Sequence, residues 1–141
     1  ARWSGYHAHA DPEQGLEPAL HDDARRLATG FPAPHQIEWA HASLDVLEER
    51  GGLAEVQAAA GAGADRLVAL LEEREVPVAP RGSSTLVSFE LPDPQGFTER
   101  AAAESLVIRF IPGAAYVRSS VGAWNSEDEL VRLADLAAAA R

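Results

Sequence analysis

The chain has 141 residues, 46% of them hydrophobic, which fits one domain with a true core or one lobe of something larger. Twenty-two acidic residues against 12 basic ones give a net charge of −10, which argues against a nucleic-acid backbone or an anionic membrane as partner. The absence of cysteine excludes disulfides, thiolate catalysis and cysteine-based metal sites. All 12 basic residues are arginine, so no lysine side chain is present to form a Schiff base.

Residues 1–34 are aromatic and histidine-rich, and Pro12, Gly15, Pro18, Gly30, Pro32 and Pro34 interrupt them repeatedly. This composition predicts irregular structure with a helical turn or two around Leu20–Leu27, of the kind that lies against a neighbouring lobe or subunit. His7-x-His9 with His21 is too loosely spaced to assign a metal, and none is assigned.

From His35 to Arg50 the spacing of Ile37, Ala40, Leu44 and Leu47 is helical, and Gly51-Gly52 supplies the stop. A second helix is predicted from Leu53 to about Arg74 on the stripe Leu53, Val56, Ala60, Ala64, Leu67 and Leu71. Gly61 and Gly63 each weaken it by about 1 kcal/mol relative to alanine, and are suited to close approach by another element.

Val76–Gly82 reads as a linker or edge strand, and Ser83–Leu91 as a strand with Thr85, Val87 and Phe89 on one side. A short helix over Phe97–Ser105 and a second strand over Leu106–Ile111 follow. After a turn at Pro112-Gly113, Ala115–Val121 forms a third strand. The last helix runs from Glu127 to about Ala140 with Leu130, Leu133 and Ala137 inward, and Ser126 with Glu129 forms a capping box. Trp124, just ahead of it, is expected to pack against that helix. The order helix–helix–strand–helix–strand–strand–helix predicts an α/β fold, an α+β two-layer sandwich made of a helix pair and a small three-stranded sheet.

One residue in this pattern invites a function. Arg118 stands inside an apolar strand, where arginine is tolerated when its side chain leaves the core or meets an anion.

Val117-Arg118-Ser119-Ser120 followed by Trp124-Asn125-Ser126-Glu127 resembles the C-terminal signature of class V aminotransferases, the group that includes cysteine desulfurases. Upstream, Arg26-Leu27-Ala28-Thr29-Gly30-Phe31-Pro32 resembles the family's Arg-x-x-x-Gly-Thr-Pro segment, with Phe31 where the family has threonine. The resemblance spans nearly the whole chain. It implies the small C-terminal domain of a fold-type I, pyridoxal-phosphate (PLP)-dependent enzyme. Residues 1–34 would then be the tail of the large cofactor domain or an interface segment, and residues 35–141 the small α/β domain.

By the same resemblance Arg118 is the substrate-carboxylate arginine. Thr29, Gly30 and Gly5 are the contacts to cofactor phosphate across a dimer. The implied partners are an amino-acid substrate and either a second copy, as a homodimer, or an N-terminal large domain. The implied chemistry is transaminase or lyase; the desulfurase variant uses a loop cysteine that this chain lacks. The Schiff-base lysine would lie upstream of Ala1, so PLP is expected only together with a lysine-bearing domain. A non-catalytic binding or assembly module derived from the same lobe is the alternative. The cytoplasm is the expected compartment.

Overall fold

The computed structural model describes Ala10 and residues 19–27 and 33–141. The chain divides into two compact units, Ala1–Val46 and Leu47–Arg141, with the division inside the first helix.

In the first unit the expected local helicity is a single 3-10 turn, Ala24–Leu27. Asp23 precedes it and accepts from both the backbone N–H and the guanidinium of Arg25, the ion pair closing at 2.7 Å. That pairing holds the Asp23 carboxyl down at about 2. Helix α1, Pro34–Glu49, starts on a proline, which is suited to the first helical position because its missing N–H would have no partner there. Its helical periodicity is real, but none of its residues is buried: Trp39 is 78% exposed, and Ile37, Leu44 and Val46 are also exposed.

The stop after α1 is a pair of glycines with left-handed backbones, Gly51 at φ 90° and Gly52 at φ 84°. A Cβ at either position would be strained. Helix α2, Gly52–Glu73, opens the second unit and buries Ala60, Ala64, Leu67, Leu70 and Leu71, the C-terminal part of the predicted stripe. Leu53, at its start, is exposed. Of the two mid-helix glycines only Gly63 is closely approached, since a Cβ there would meet Val121 Cγ1 at 3.0 Å. Gly61 faces open space.

The sheet consists of β1 (Leu86–Glu90), β2 (Arg109–Phe110) and β3 (Tyr116–Ser120), with helix α3 (Pro94–Ala103) between β1 and β2. All pairings are antiparallel and the order is β1-β3-β2, so β3 is central. Residues 77–79 line the outer edge of β1, with Ala79 N–H donating to Ser88 O and Glu90 N–H to Pro77 O, so the linker serves as an edge partner. Alternation along the strands puts Val87, Phe89, Val117 and Ser119 on the buried face. There they meet Leu67 and Leu71 of α2, Phe97 of α3, and Leu130, Leu133 and Ala137 of helix α4, Glu127–Ala138. Phe89 and Phe97 pack edge to face at 5.9 Å between ring centroids, the arrangement the aromatic quadrupole favours. The fold is thus α/β, with helices on one side of a small sheet.

The predicted strand Leu106–Ile111 shortens to two residues for a local reason. Helix α3 ends in a Schellman motif with Ser105 in the left-handed region (φ 63°), Leu106 N–H donating to Ala101 O and Ser105 N–H to Ala102 O. The Leu106 backbone is therefore committed to the helix end, and its side chain is buried while Val107 is turned out. Helix α2 ends the same way on Glu75 (φ 59°), with Val76 N–H donating to Leu71 O. Neither motif uses the glycine that usually marks one.

Helix α4 starts with the complete capping box. Ser126 Oγ accepts from Glu129 N–H at 3.3 Å and Glu129 Oε2 accepts from Ser126 N–H at 2.9 Å. Ser126→Ala is expected to destabilise residues 47–141 by about 1 kcal/mol, read from urea denaturation followed by circular dichroism. The Ser126 and Asn125 N–H groups hold the Glu129 carboxyl below its ordinary value of 4.5. Its contribution to stability is therefore complete above pH 4.5 and is lost as the pH falls through the lowered value. Glu129→Gln is expected to flatten that segment of the stability–pH curve.

Candidate functional site

Arg118 occupies the middle of β3, on the side of the sheet opposite the core, and is half-buried. Its Cα partners are Ser88 on β1 and Arg109 on β2. It lines a cavity of about 280 Å³ with Arg81, Ser84, Leu86, Ser88 and Ile111. The position follows from alternation: once Val117 and Ser119 are buried, the residue between them must point outward.

Arg109 was not singled out by the sequence, yet β2 and β3 place it directly opposite Arg118 on the same side of the sheet. Like charges at directly paired positions repel and cost stability. No acidic oxygen relieves them: among the described residues, Arg66, Arg74, Arg81, Arg100, Arg132 and Arg141 each lie within 4.0 Å of a carboxylate, whereas Arg109 and Arg118 do not. Arg26 and Arg50 are likewise without such a partner among the described residues, but neither belongs to a strand of the sheet. In a chain with an excess of ten acids, Arg109 and Arg118 are thus two adjacent cations without a carboxylate partner among the described residues.

Arg81 at the cavity wall is already engaged, donating to Asp65 and to the Ser84 carbonyl, so it shapes the wall and leaves the anion to its neighbours. The hydroxyls of Ser84 and Ser88 are at hand; Ser84 Oγ accepts from Leu86 N–H at 3.1 Å, and Ser88 lines the cavity beside Arg118. Of the other expected site residues, Thr29, Gly30 and Gly5 lie outside the described residues, as do His7, His9 and Phe31. Among the described residues no helix is long and apolar enough to cross a membrane.

The sequence matches no protein-family model and no curated protein sequence. Solved structures do match. The complex between the cystine C-S lyase C-DES and its reaction product cysteine persulfide superposes with a TM-score of 0.73 at 18% identity, over 96% of this chain and 38% of that one. A lysine-to-alanine mutant of C-DES with glycine covalently linked to the PLP cofactor gives a TM-score of 0.74 at 19% identity, over 96% of this chain and 37% of that one.

The fold is that of part of a fold-type I PLP enzyme. The chain spans less than two fifths of the length of these structures, and at such identity the likeness establishes fold and leaves activity to the residues.

The arginine pair makes a prediction of its own. In the free chain Arg109→Gln or Arg118→Gln is expected to raise stability by about 0.2–1 kcal/mol at low salt, because it removes a like-charge pair. Added salt should shrink the gain. Thermal unfolding at two ionic strengths measures both; a loss of stability at low salt would mean that the arginines are held by internal contacts instead.

Proposed function

We propose that this chain is the C-terminal portion of a PLP-dependent enzyme of the class V aminotransferase kind, acting on an α-amino acid that carries a second anionic group. The observation that carries the reading is Arg118 beside Arg109, two guanidinium groups without carboxylate partners among the described residues, on the side of the small sheet away from the core. A planar guanidinium holds a carboxylate through two parallel N–H···O bonds, which fixes the direction of the amino acid as well as its position. Arg118, central and half-buried, takes the α-carboxylate, and Arg109, exposed at the neighbouring strand, takes the second acid group.

The residues present do not supply everything PLP needs. The chain has no lysine, so the covalent anchor for the cofactor belongs to a separate, lysine-bearing domain. When bound there, PLP supplies an electron sink for carbanion chemistry. This chain contributes carboxylate binding and orientation, with Thr29, Gly30 and Gly5 proposed as phosphate contacts to a dimer partner. Lyase chemistry is favoured over transamination: the two C-DES structures described above are of a C-S lyase, whose stated substrate, cystine, bears two carboxylates. A cytoplasmic, homodimeric assembly is the setting proposed for it.

Combining residues 1–141 with a candidate lysine-bearing N-terminal domain tests the reading. Recovered visible absorbance and turnover of a dicarboxylic amino acid are expected. Arg118→Ala should lower kcat/KM by about 100-fold or more, since two charge-assisted bonds are lost. Arg109→Ala should act selectively on substrates with the second acid group. An assembly that turns over and is indifferent to Arg118→Ala would sink the carboxylate role, and failure to associate with any such domain would leave the non-catalytic module as the function.

A further inference from the structure

On the helix side of β3 lies a second cavity of about 280 Å³, lined by residues of the α3–β2 connection, the end of β3 and the start of α4. Its floor is apolar, from Leu106, Leu130 and Leu133. Its polar side chains are the hydroxyls of Ser105, Ser119 and Ser120, the Asn125 amide and the Glu129 carboxylate. Ser119 is only 7% exposed, and its hydroxyl bonds no described residue. No fully buried side-chain oxygen among the described residues lacks a partner, so Ser119 Oγ is open to the cavity it lines.

Glu129 also lines it, and its carboxylate is half used: Oε2 accepts from Ser126 N–H at 2.9 Å and from Asn125 Nδ2 at 3.2 Å, while no described residue bonds Oε1. The cationic side chain on the same helix, Arg132, donates to the Glu104 carbonyl at 2.6 Å and acts on the Glu129 carboxylate through space without bonding Oε1.

The rim carries an aromatic platform. Trp124 is 81% exposed, against the expectation that it would pack on α4. A Cβ on Gly122 would fall 2.4 Å from Trp124 Cε2 and Cζ2, so the indole lies across the Gly122 backbone where any side chain would stand. Asn125 Oδ1 accepts from Gly122 N–H at 2.8 Å and fixes the loop that presents the ring. One side of the indole is thereby covered by Gly122, and the rest remains exposed.

We infer that this cavity is a binding site for an alkylammonium group, with the apolar stem on Leu106, Leu130 and Leu133, the head between Glu129 Oε1 and Ser119 Oγ, and Trp124 closing over the cation. A carboxylate oxygen, a hydroxyl and an aromatic surface around an apolar slot match a cationic head on a hydrocarbon chain. An anion is disfavoured by the Glu129 carboxylate that lines the cavity. The group belongs either to a free amine or to a lysine side chain of a polypeptide. The inference is independent of the proposed enzymatic role, since it uses the other face of the sheet.

The test is a titration of isotopically labelled residues 1–141 with n-butylammonium, with neutral n-butanol as control and a capped lysine dipeptide as the second probe. The Trp124 indole resonance is identified by its loss in Trp124→Phe. A saturable shift of that resonance and of the Glu129 amide is expected with n-butylammonium and not with n-butanol. Glu129→Gln, which keeps the capping box, should weaken binding about tenfold. Ser119→Ala should weaken it by a few-fold. Equal binding of the capped lysine identifies a side chain as an acceptable source, and binding of n-butylammonium alone identifies a free amine. Equal shifts with n-butanol, absence of saturation, or unchanged affinity in both variants would overturn the site.

Discussion

The constraint on which the rest of the structure depends is the central place of β3. It is hydrogen-bonded to β1 on one side and β2 on the other, so its residues cannot shift register without breaking both ladders. A slip of one residue would also exchange its faces, putting Arg118 into the core and Val117 and Ser119 out of it. The core contacts of Val117 against the helices therefore fix the direction of Arg118. Packing on one side and the arginine pair on the other are two results of one alternation.

That arrangement carries a cost which no carboxylate among the described residues relieves. The other arginines of the sheet-and-helix unit, Arg50 aside, sit by carboxylates, several of them bridging α2 to α4 or to loops, as Arg66 does to Glu127 and Arg74 to Asp135. Such exposed pairs contribute little individually, so their value lies in leaving few stray charges near the sheet. Arg109 and Arg118 stand outside this pattern, although acids outnumber bases 22 to 12. Two adjacent cations left unneutralised are a feature of sites that expect an anion.

Much of this was legible in the sequence, and the failures have physical causes. The period-two pattern around Val87 and Phe89 and around Val117, together with the capping box at Ser126, located β1, β3 and α4 closely because each signal is local. The long predicted strand Leu106–Ile111 failed because a Schellman turn on Ser105 captured the Leu106 backbone, and a serine gives no glycine-like warning. Arg109 was missed because a hairpin centred on Pro112-Gly113 would put residue 107 opposite Arg118; the observed register is centred one residue later, between Gly113 and Ala114, and brings Arg109 there instead. The helical spacing of Ile37, Ala40, Leu44 and Leu47 located α1, whose residues are nonetheless not buried, since periodicity reports a face suited to a partner without supplying one.

The same alternation bears on how the two proposed sites relate. Arg118 and Ser119 are consecutive, so their side chains leave β3 on opposite sides, one toward the arginine pair and one toward the cavity under Trp124. An anionic ligand and a cationic one can then be held about one strand without meeting, with the packed sheet between them. The loop Val121–Asn125 carries the end of β3 into the start of α4 and is specified at two points: a Cβ on Gly122 would meet the Trp124 ring, and Asn125 Oδ1 holds the Gly122 N–H.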